Sequence, residues 1–406
     1  MLTHRRSIPT LAVTFAALAP AAVSAQLPGP AAAAWEEVAG GWHAVLADEG
    51  IVGASLALVV DGKAERHEVH GFADLGERRP VDDRTIYHWA SITKTLTAIS
   101  IMQLRDRGLL SLDDPIVDHV PELRDVYNPF GRMEDVTIRQ IMSHSAGFRA
   151  GTWPWGGDEE WHPHEPTEWS QLVAMIPYTR IHFPPGSRFS YSNPGIIFLG
   201  RVIEKLTGDV FETYVDKNVF RPLGMRNAYF DGTPRHLLAH RSNHYFVEEG
   251  TSPRAGGPDF DTGITVSNGG LNAPVTDMVR YLGFLMGSPP DDIPDGWSAD
   301  AVLSRASLEE MWRTVVPIQD TGIGRETMGL SFFLYDNGGT RIVGHTGTQR
   351  AFYSFMAFDP VARVGAVGAF NTAGTSGSGP DTHAIRIGTR DAVVNQVFPL
   401  VRGGAR

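Results

Sequence analysis

The apolar positions near the start of the folded part follow the pattern of two paired strands. Residues 54–60 form a nearly continuous apolar run, which is typical of a strand that is buried on both faces. The turn dipeptide Asp61-Gly62 follows, and a second strand pattern covers residues 64–69. We therefore expect a β-hairpin in this part of the chain.

Helix signals dominate from about residue 91 to residue 312. Pro194 suits the first turn of a helix, apolar residues follow it at helical spacing, and Gly208 suits its C-terminal end. Residues 277–286 carry a further amphipathic run. Two other helix starts have the spacing of a capping box, formed by Thr137 with Gln140 and by Ser307 with Glu310.

Strand patterns return after this helical block, and a last helix pattern covers residues 391–401. Turn residues at 336–339 separate two of the strand patterns. The patterns themselves cover residues 329–334, 341–344, 351–358 and 363–370.

The order of these patterns along the chain indicates the fold. We predict an α/β fold of the α+β type, in which early and late strands join one antiparallel sheet flanked by helices. The sheet lobe is expected from about residues 35–90 and 325–406, and a mostly helical lobe from about 91–324, within a single unit spanning 35–406. A cleft between two such lobes is the default place for an active site.

The first residues of the sequence have the pattern of an export signal. Residues 1–25 combine a basic start, a short apolar stretch and a small-residue cleavage motif, and residues 26–34 are expected to form a tether. Arg5-Arg6 leaves twin-arginine export open beside the general route. A membrane anchor is disfavoured, because a span needs about 20 unbroken apolar residues and Pro9 and Pro20 interrupt this stretch. We expect a periplasmic or secreted protein without a membrane span.

Composition excludes several classes of function. The 406 residues carry a formal net charge of −11, so a nucleic-acid partner is not expected, because phosphate binding needs a dense basic surface. The chain has no cysteine, which excludes disulfides, thiolate metal sites and cysteine nucleophiles. Only four of its 35 basic residues are lysines, so a motif that requires lysine is tested against a low background.

A serine and a lysine at helical spacing are the first candidates for chemistry. Ser91 and Lys94 lie three residues apart, so both side chains fall on one face of a helix. We expect this helix to begin at Ser91 and to run to Gly108, which places the serine at the positive end of the helix dipole. The alternative is a serine that only caps the helix beside a solvated lysine.

Two further motifs could complete a site. In residues 191–193, Tyr-Ser-Asn, the first and third side chains would point the same way in an extended segment, so a phenol and an amide could face one site. The alternative is a buried tyrosine next to an asparagine cap. In residues 345–348, His-Thr-Gly-Thr, the glycine would let a substrate lie along the strand edge; the alternative is a strand end with polar decoration.

Taken in order, these three motifs resemble the signature of the serine β-lactamase and penicillin-binding superfamily. The likeness is to the class C β-lactamase-like branch, which also holds DD-carboxypeptidases, D-aminopeptidases and β-lactamase-like esterases. It extends over nearly the whole chain after the signal pattern, because further segments also look like that branch: residues 112–115, 144–147, 183–186, 222–225 and 269–271 with Asp277.

The resemblance implies a β-lactamase/transpeptidase-like fold and a role for each matching residue. Ser91 would be the acylated nucleophile, Lys94 its proton partner and Tyr191 the general base. The backbone N–H groups of Ser91 and Thr348 would form the oxyanion hole. Asn193 would bind the substrate amide and orient Lys94. The resemblance implies no metal and no other cofactor. The complete set of implied substrate-binding residues is Asn193, His345, Thr346, Gly347 and Thr348.

The third motif departs from many class C β-lactamases, which carry lysine where this chain has His345. A neutral histidine attracts a substrate carboxylate less than lysine does. We therefore expect a serine hydrolase that cleaves small esters, or amides such as D-amino-acid peptides, through an acyl-enzyme on Ser91. The alternatives are a class C-type β-lactamase, a DD-carboxypeptidase and a non-catalytic protein that binds cell-wall fragments. The partner would be a small-molecule ester, peptide or β-lactam.

Several other residues have weaker patterns. Residues 162–165, His-Pro-His-Glu, could be considered for a metal, but Pro163 restricts their geometry. The tryptophans of residues 153–169 could wall the cleft or simply pack the lobe. His144 is expected to be a structural residue beneath the site, and Arg341 to form a surface salt bridge.

Overall fold

The early strands, a mostly helical block, the late strands and the last helix follow one another in the predicted order, but a helix over residues 29–48 precedes them and short strands interrupt the helical block. The computed structural model describes residue 27 and residues 29–149, 166–259, 261–288, 299–375 and 378–404. The signal pattern at 1–25, the possible metal ligands at 162–165 and three of the four tryptophans in 153–169 lie outside the described residues. Within the described residues, no helix is long and apolar enough to cross a membrane.

The helices are α1 (Gly29–Asp48), α2 (Thr93–Asp106), α3 (Ile116–His119), α4 (Ile138–Met142), α5 (Trp169–Met175), α6 (Asn193–Thr207), α7 (Phe211–Val215), α8 (Arg221–Leu223), α9 (Val266–Gly269), α10 (Val275–Met286), α11 (Arg305–Met311), α12 (Thr382–Ala392) and α13 (Phe398–Gly404). The strands are β1 (Gly53–Val60), β2 (Lys63–Asp74), β3 (Arg79–Pro80), β4 (Ile86–Ala90), β5 (Tyr229–Phe230), β6 (His244–Val247), β7 (Arg254–Gly257), β8 (Leu271–Pro274), β9 (Val316–Thr321), β10 (Gly324–Met328), β11 (Phe333–Asn337), β12 (Thr340–Gln349), β13 (Phe352–Asp359), β14 (Val364–Phe370) and β15 (Thr372–Gly374).

In the part of the chain that the structure describes, one nine-stranded antiparallel sheet has the strand order β3-β2-β1-β14-β13-β12-β11-β10-β9. Strand β1 lies between β2 and β14, so the early hairpin and the late strands form one sheet, as predicted. Two small sheets, β4-β8-β5 and β15-β6-β7, lie outside it. The predicted mixed fold with an antiparallel sheet flanked by helices is confirmed.

The sheet buries both of its faces, which explains the unbroken apolar run of β1. Ala57 and Val59 pack with the helical block that includes α2, α6 and α10. Leu56 and Leu58 point to the other face, where they pack with Trp35 of α1 and with α13. Because successive side chains of a strand point to opposite faces, burial of both faces requires an apolar residue at nearly every position.

The tether expected over residues 26–34 is wrong for most of its length, because a helix begins at Gly29. Residues 29–34 belong to helix α1, and Ala31 within them is fully buried against the sheet face. Four consecutive alanines there have the highest helix propensity, and their small side chains allow a close approach to the sheet. A small-residue stretch that resembled a linker is therefore part of the core.

Helix boundaries test the capping predictions. Thr137 and Gln140 form the predicted capping box of α4. Ser307 and Glu310 do not form one, because Ser304 caps α11 by accepting a hydrogen bond from the Ser307 backbone N–H. The Ser307 hydroxyl instead donates to Asp106 of α2 at 2.6 Å, so this serine ties two helices together.

Candidate active site

Ser91 lies in the turn between β4 and α2. The helix begins two residues later than predicted, at Thr93, and Ser91 therefore precedes it. Ala90 has a positive φ of 48°, and the Thr93 hydroxyl donates to the Ala90 carbonyl at 2.6 Å, which fixes the turn. A non-glycine residue in this region of φ is uncommon and is held by its surroundings. The strained turn places the half-buried Ser91 side chain at the cleft.

Lys94 is fully buried, so the alternative of a solvated lysine is wrong. Its Nζ lies 2.9 Å from Ser91 Oγ and 2.8 Å from the carbonyl oxygen of Asn268. Burial lowers the pKa of Lys94 well below its usual value, because the charged form is poorly solvated there. The buried environment thus favours the uncharged amine of Lys94 next to the serine hydroxyl.

Tyr191 covers the other side of this pair. Lys94 Nζ lies 5.0 Å from the centroid of its ring, and its hydroxyl is hydrogen-bonded to the Ser91 side chain. Burial raises the pKa of Tyr191, although the Ser91 hydrogen bond and the charge of Arg386 oppose the rise. At neutral pH this tyrosine is therefore a phenol rather than a phenolate.

His144 packs against Tyr191 beneath the site, as expected of a structural residue. The two rings stack with centroids 4.5 Å apart. His144 Nδ1 accepts a hydrogen bond from the Ser192 backbone N–H at 3.1 Å, so its proton is on Nε2. Burial lowers the pKa of His144 well below its usual value. A neutral ring thus holds the segment that carries Tyr191.

Asn193 begins α6 but does not cap it. The Ser192 hydroxyl accepts the capping hydrogen bond from the Gly195 backbone N–H at 3.1 Å. Asn193 Oδ1 is buried and has no hydrogen-bond partner among the described residues, and it lines the cleft. The hydrogen bonds of Lys94 go to Ser91 and Asn268, so none joins it to Asn193 in the described structure.

His345 brings no positive charge to the cleft. Its Nδ1–H donates to the Thr346 carbonyl at 2.7 Å, which leaves Nε2 buried and without a partner in the described structure. Burial lowers the pKa of His345 to about 3, because the charged ring would be poorly solvated there. The ring packs beside Phe333, with centroids 5.1 Å apart.

Gly347 allows β12 to approach the nucleophile. A Cβ atom there would lie 2.1 Å from the Trp89 carbonyl oxygen and 2.4 Å from Ser354 Oγ. Strand β12 pairs with β13 through residue 349 but with β11 only through Gly344, so residues 345–349 keep one edge free of β11. This edge carries Thr346 and Thr348 and faces the cleft.

Arg386 on α12 is a residue that the sequence did not point to. It is almost completely buried and donates to the Gly347 carbonyl and to Thr348 Oγ1, both at 2.8 Å. Burial lowers the pKa of Arg386 to about 10. No motif signals this arginine, because only the packing of α12 on the sheet brings it behind β12.

The seven predicted side chains and Gly347 thus meet at one place, with all but Lys94 and Gly347 lining a cleft of about 440 Å³. Among the described residues, no group of three or more histidines and carboxylates could hold a metal ion. Arg341 lies outside the cleft and forms the predicted salt bridge, with Nε 2.8 Å from Asp336. The cleft is lined by Ser91, Phe189, Tyr191, Asn193, Ile318, Gln319, Glu326, Phe333, His345, Thr346 and Thr348.

Comparisons with known proteins agree with this arrangement. The Beta-lactamase family model matches residues 36–389. The chain is 26% identical over 382 residues to Esterase EstB of Burkholderia gladioli, covering 84% of this chain and 91% of EstB. It is 26% identical over 317 residues to Protein flp of Staphylococcus aureus strain MW2, covering 78% of this chain and 59% of flp. The chain thus spans less than two thirds of the length of flp.

Solved structures show the same fold. A penicillin-binding protein homologue from Pyrococcus abyssi, described as octameric, superposes with a TM-score of 0.70 at 27% identity, covering 87% of this chain and 76% of that one. A class C beta-lactamase superposes with a TM-score of 0.70 at 19% identity, covering 89% of this chain and 96% of that one. The resemblance stated from the sequence is confirmed.

Proposed function

Because the chain belongs to the beta-lactamase family, we propose that it is a serine hydrolase that cleaves small esters or amides through an acyl-enzyme on Ser91. The observation that carries the proposal is the 2.9 Å contact between Ser91 Oγ and the buried Lys94 amine. A neutral amine at this distance can accept the hydroxyl proton as the oxygen attacks a carbonyl carbon. The esterase EstB, similar over most of both chains, supports this reaction class.

The acylation step can be written with these groups. Ser91 Oγ forms a bond to the carbonyl carbon and its proton passes to Lys94 Nζ. The carbonyl oxygen becomes an oxyanion, which the backbone N–H groups of Ser91 and Thr348 would stabilise. The tetrahedral intermediate collapses when the bond to the alcohol or amine breaks, and the leaving group takes the proton from Lys94 through the Tyr191 hydroxyl.

Deacylation repeats the sequence with water. A water molecule attacks the acyl carbon and loses a proton through Tyr191 to Lys94, and Ser91 Oγ leaves and recovers its proton. In this scheme Lys94 is the base and Tyr191 is a neutral relay. The directions of their pKa shifts support that division, because burial favours the uncharged form of both groups.

The cleft favours substrates without a carboxylate over β-lactams. His345 is neutral, and among the described residues that line the cleft there is no lysine or arginine. A class C-type β-lactamase, a DD-carboxypeptidase and a non-catalytic cell-wall-fragment binder remain the competing functions. Turnover of nitrocefin would identify the first, and release of D-alanine from a D-Ala-D-Ala peptide the second. Binding of such fragments without turnover of esters or amides would identify the third.

The direct test is hydrolysis of p-nitrophenyl esters by the wild type and by Ser91→Ala. We expect Ser91→Ala to lose ester turnover while its melting temperature stays close to that of the wild type. Ser170→Ala removes an exposed serine on α5 and is the matched control, which should keep full activity. Wild-type rates in Ser91→Ala would refute the proposed mechanism.

We also propose that the protein acts in the periplasm or outside the cell. The support is the export pattern in residues 1–25. Expression with and without these residues, followed by cell fractionation, tests it: loss of export on their deletion is expected, and unchanged export would refute it.

A further inference from the structure

One acidic side chain lines the cleft without a role in the scheme above. Glu326 of β10 is only 7% exposed, and it lines the same cavity as Ser91 and Tyr191. The cleft wall next to it is partly apolar, with Ile318 and Phe333 among its residues. Burying a carboxylate is unfavourable unless a partner compensates the lost hydration.

The protein supplies only part of that compensation. Gln319 Nε2 donates to Glu326 Oε2 at 3.3 Å, and the Tyr335 hydroxyl is also hydrogen-bonded to the carboxyl group. Arg390 donates to the Tyr335 hydroxyl at 3.2 Å and pairs with Asp391. Burial raises the pKa of Glu326, and the hydrogen bonds and the charge of Arg390 oppose only part of that rise. Within the described residues Glu326 forms no ion pair of its own, because Arg390 pairs with Asp391.

The other groups along the cleft do not supply a cation either. Lys94 is buried behind Ser91, where its pKa is lowered, and His345 is neutral. Arg386 is turned to Gly347 and Thr348 rather than to Glu326. The described cleft lining therefore holds one carboxylate and no positively charged side chain, which is complementary to a cationic ligand.

We propose that Glu326 binds an ammonium group of the substrate, so that the preferred substrates are elongated esters or amides with a positive charge at one end. This inference rests on the proposed function, because it names the substrate class of the same cleft. Glu326 pairs with Tyr335 of β11, and Tyr335 pairs with Ile342 of β12. Neighbouring strands are about 4.8 Å apart, so the backbone of Glu326 lies about 10 Å from that of Ile342, and Thr346 lies four residues further along β12. The ammonium is therefore separated from the scissile carbonyl by a spacer.

The test compares matched esters with different terminal groups. On the acyl side these are the p-nitrophenyl esters of ε-aminocaproic acid, of heptanoic acid and of adipic acid as its half-ester. On the alcohol side they are the acetate esters of an ω-amino alcohol and of its alkyl isostere. In at least one series we expect the wild type to prefer the ammonium ester in kcat/KM by about tenfold or more, the scale of a hydrogen bond to a charged group.

Two variants separate the effect of Glu326 from general changes in charge. Glu326→Gln should abolish the preference for ammonium esters, so that the ratio of kcat/KM between ammonium and neutral esters falls to about one. Asp320→Asn removes a charge from the exposed neighbouring strand β9, outside the cleft lining, and should leave both the ratio and the basal activity unchanged. An equal ratio in the wild type and Glu326→Gln in both series would overturn the proposal. A preference for the adipic half-ester would also overturn it.

Binding of an alkylammonium ion gives a readout that does not need turnover. Hexylammonium should bind the wild type more tightly than Glu326→Gln, and hexanol should not distinguish the two, as measured by calorimetry. If neutral esters are hydrolysed but neither ester ratios nor hexylammonium binding depends on Glu326, this inference fails and the proposed function stands. If no ester is hydrolysed, the proposed function fails, and hexylammonium binding alone decides whether the ammonium site exists.

Discussion

Replacing Gly347 by alanine tests how the fold places the nucleophile next to β12. The new Cβ would lie 2.1 Å from the Trp89 carbonyl oxygen, against an ordinary contact of 3.4 Å or more, so the end of β4 must retreat by about 1 Å. Ser91 follows Trp89 by two residues and would move with it, away from β12. A misplacement of this size lowers kcat/KM by about a hundredfold.

The same overlap costs about 1–3 kcal/mol of unfolding free energy, which is the usual range for overpacking. The assay combines ester turnover, the rate of labelling by a fluorophosphonate and thermal unfolding of the purified Gly347→Ala protein. Gly388→Ala on α12 is the matched control, because no atom lies within 4 Å of its new Cβ. It should keep wild-type activity and stability or gain slightly in stability. Wild-type turnover in Gly347→Ala would refute the reasoning.

Two further predictions concern buried ionisable groups. In Lys94→Met the rates of fluorophosphonate labelling and of ester turnover should fall by about a hundredfold or more. The variant should stay folded, because an apolar side chain of similar length fills the buried site. Labelling at the wild-type rate would exclude Lys94 as the base. Burial raises the pKa of Asp277 to about 6, so its protonated form is favoured in the folded state. The unfolding free energy should therefore fall by about 3 kcal/mol as the pH rises from about 4 to about 6, and should level off above that range. In urea titrations Asp277→Asn should lose this part of the pH dependence, and an unchanged profile would contradict the assignment.

Much of the architecture could be predicted because local signals agree with the tertiary structure. The turn dipeptide Asp61-Gly62 joins β1 to β2, and the burial of β1 on both faces matches its unbroken apolar run. Gly208 ends α6 with a positive φ of 77°, as its position after the apolar pattern indicated. Each of these features depends on a few neighbouring residues, which is why sequence alone was sufficient.

Helix α1 and the β9–β10 hairpin were missed for a different reason. The alanines of α1 carry no capping signal, and the helix is stabilised mainly by packing of Ala31 and Trp35 on the sheet. The strand β9 contains Pro317 and alternates little between apolar and polar residues, so its pattern is weak. Tertiary contacts determine both elements.

The residues of the site also divide into those that local sequence identifies and those that only tertiary packing places there. The three motifs could be found from residue type and spacing, and the structure brings them to one cleft. The lowered pKa of Lys94 and the places of Glu326 and Arg386 depend on burial by strands and helices distant in sequence. A sequence pattern can therefore nominate Ser91 and Lys94, but their protonation follows from the folded environment.

The central claim is that Ser91 carries the acyl group during turnover. Mass spectrometry of the protein quenched in acid during hydrolysis of a p-nitrophenyl ester tests it most directly. The account predicts that the protein gains the mass of one acyl group, that peptide mapping places this group on Ser91, and that Ser91→Ala shows no gain. An acyl group on another residue, or the same gain in Ser91→Ala, would contradict it.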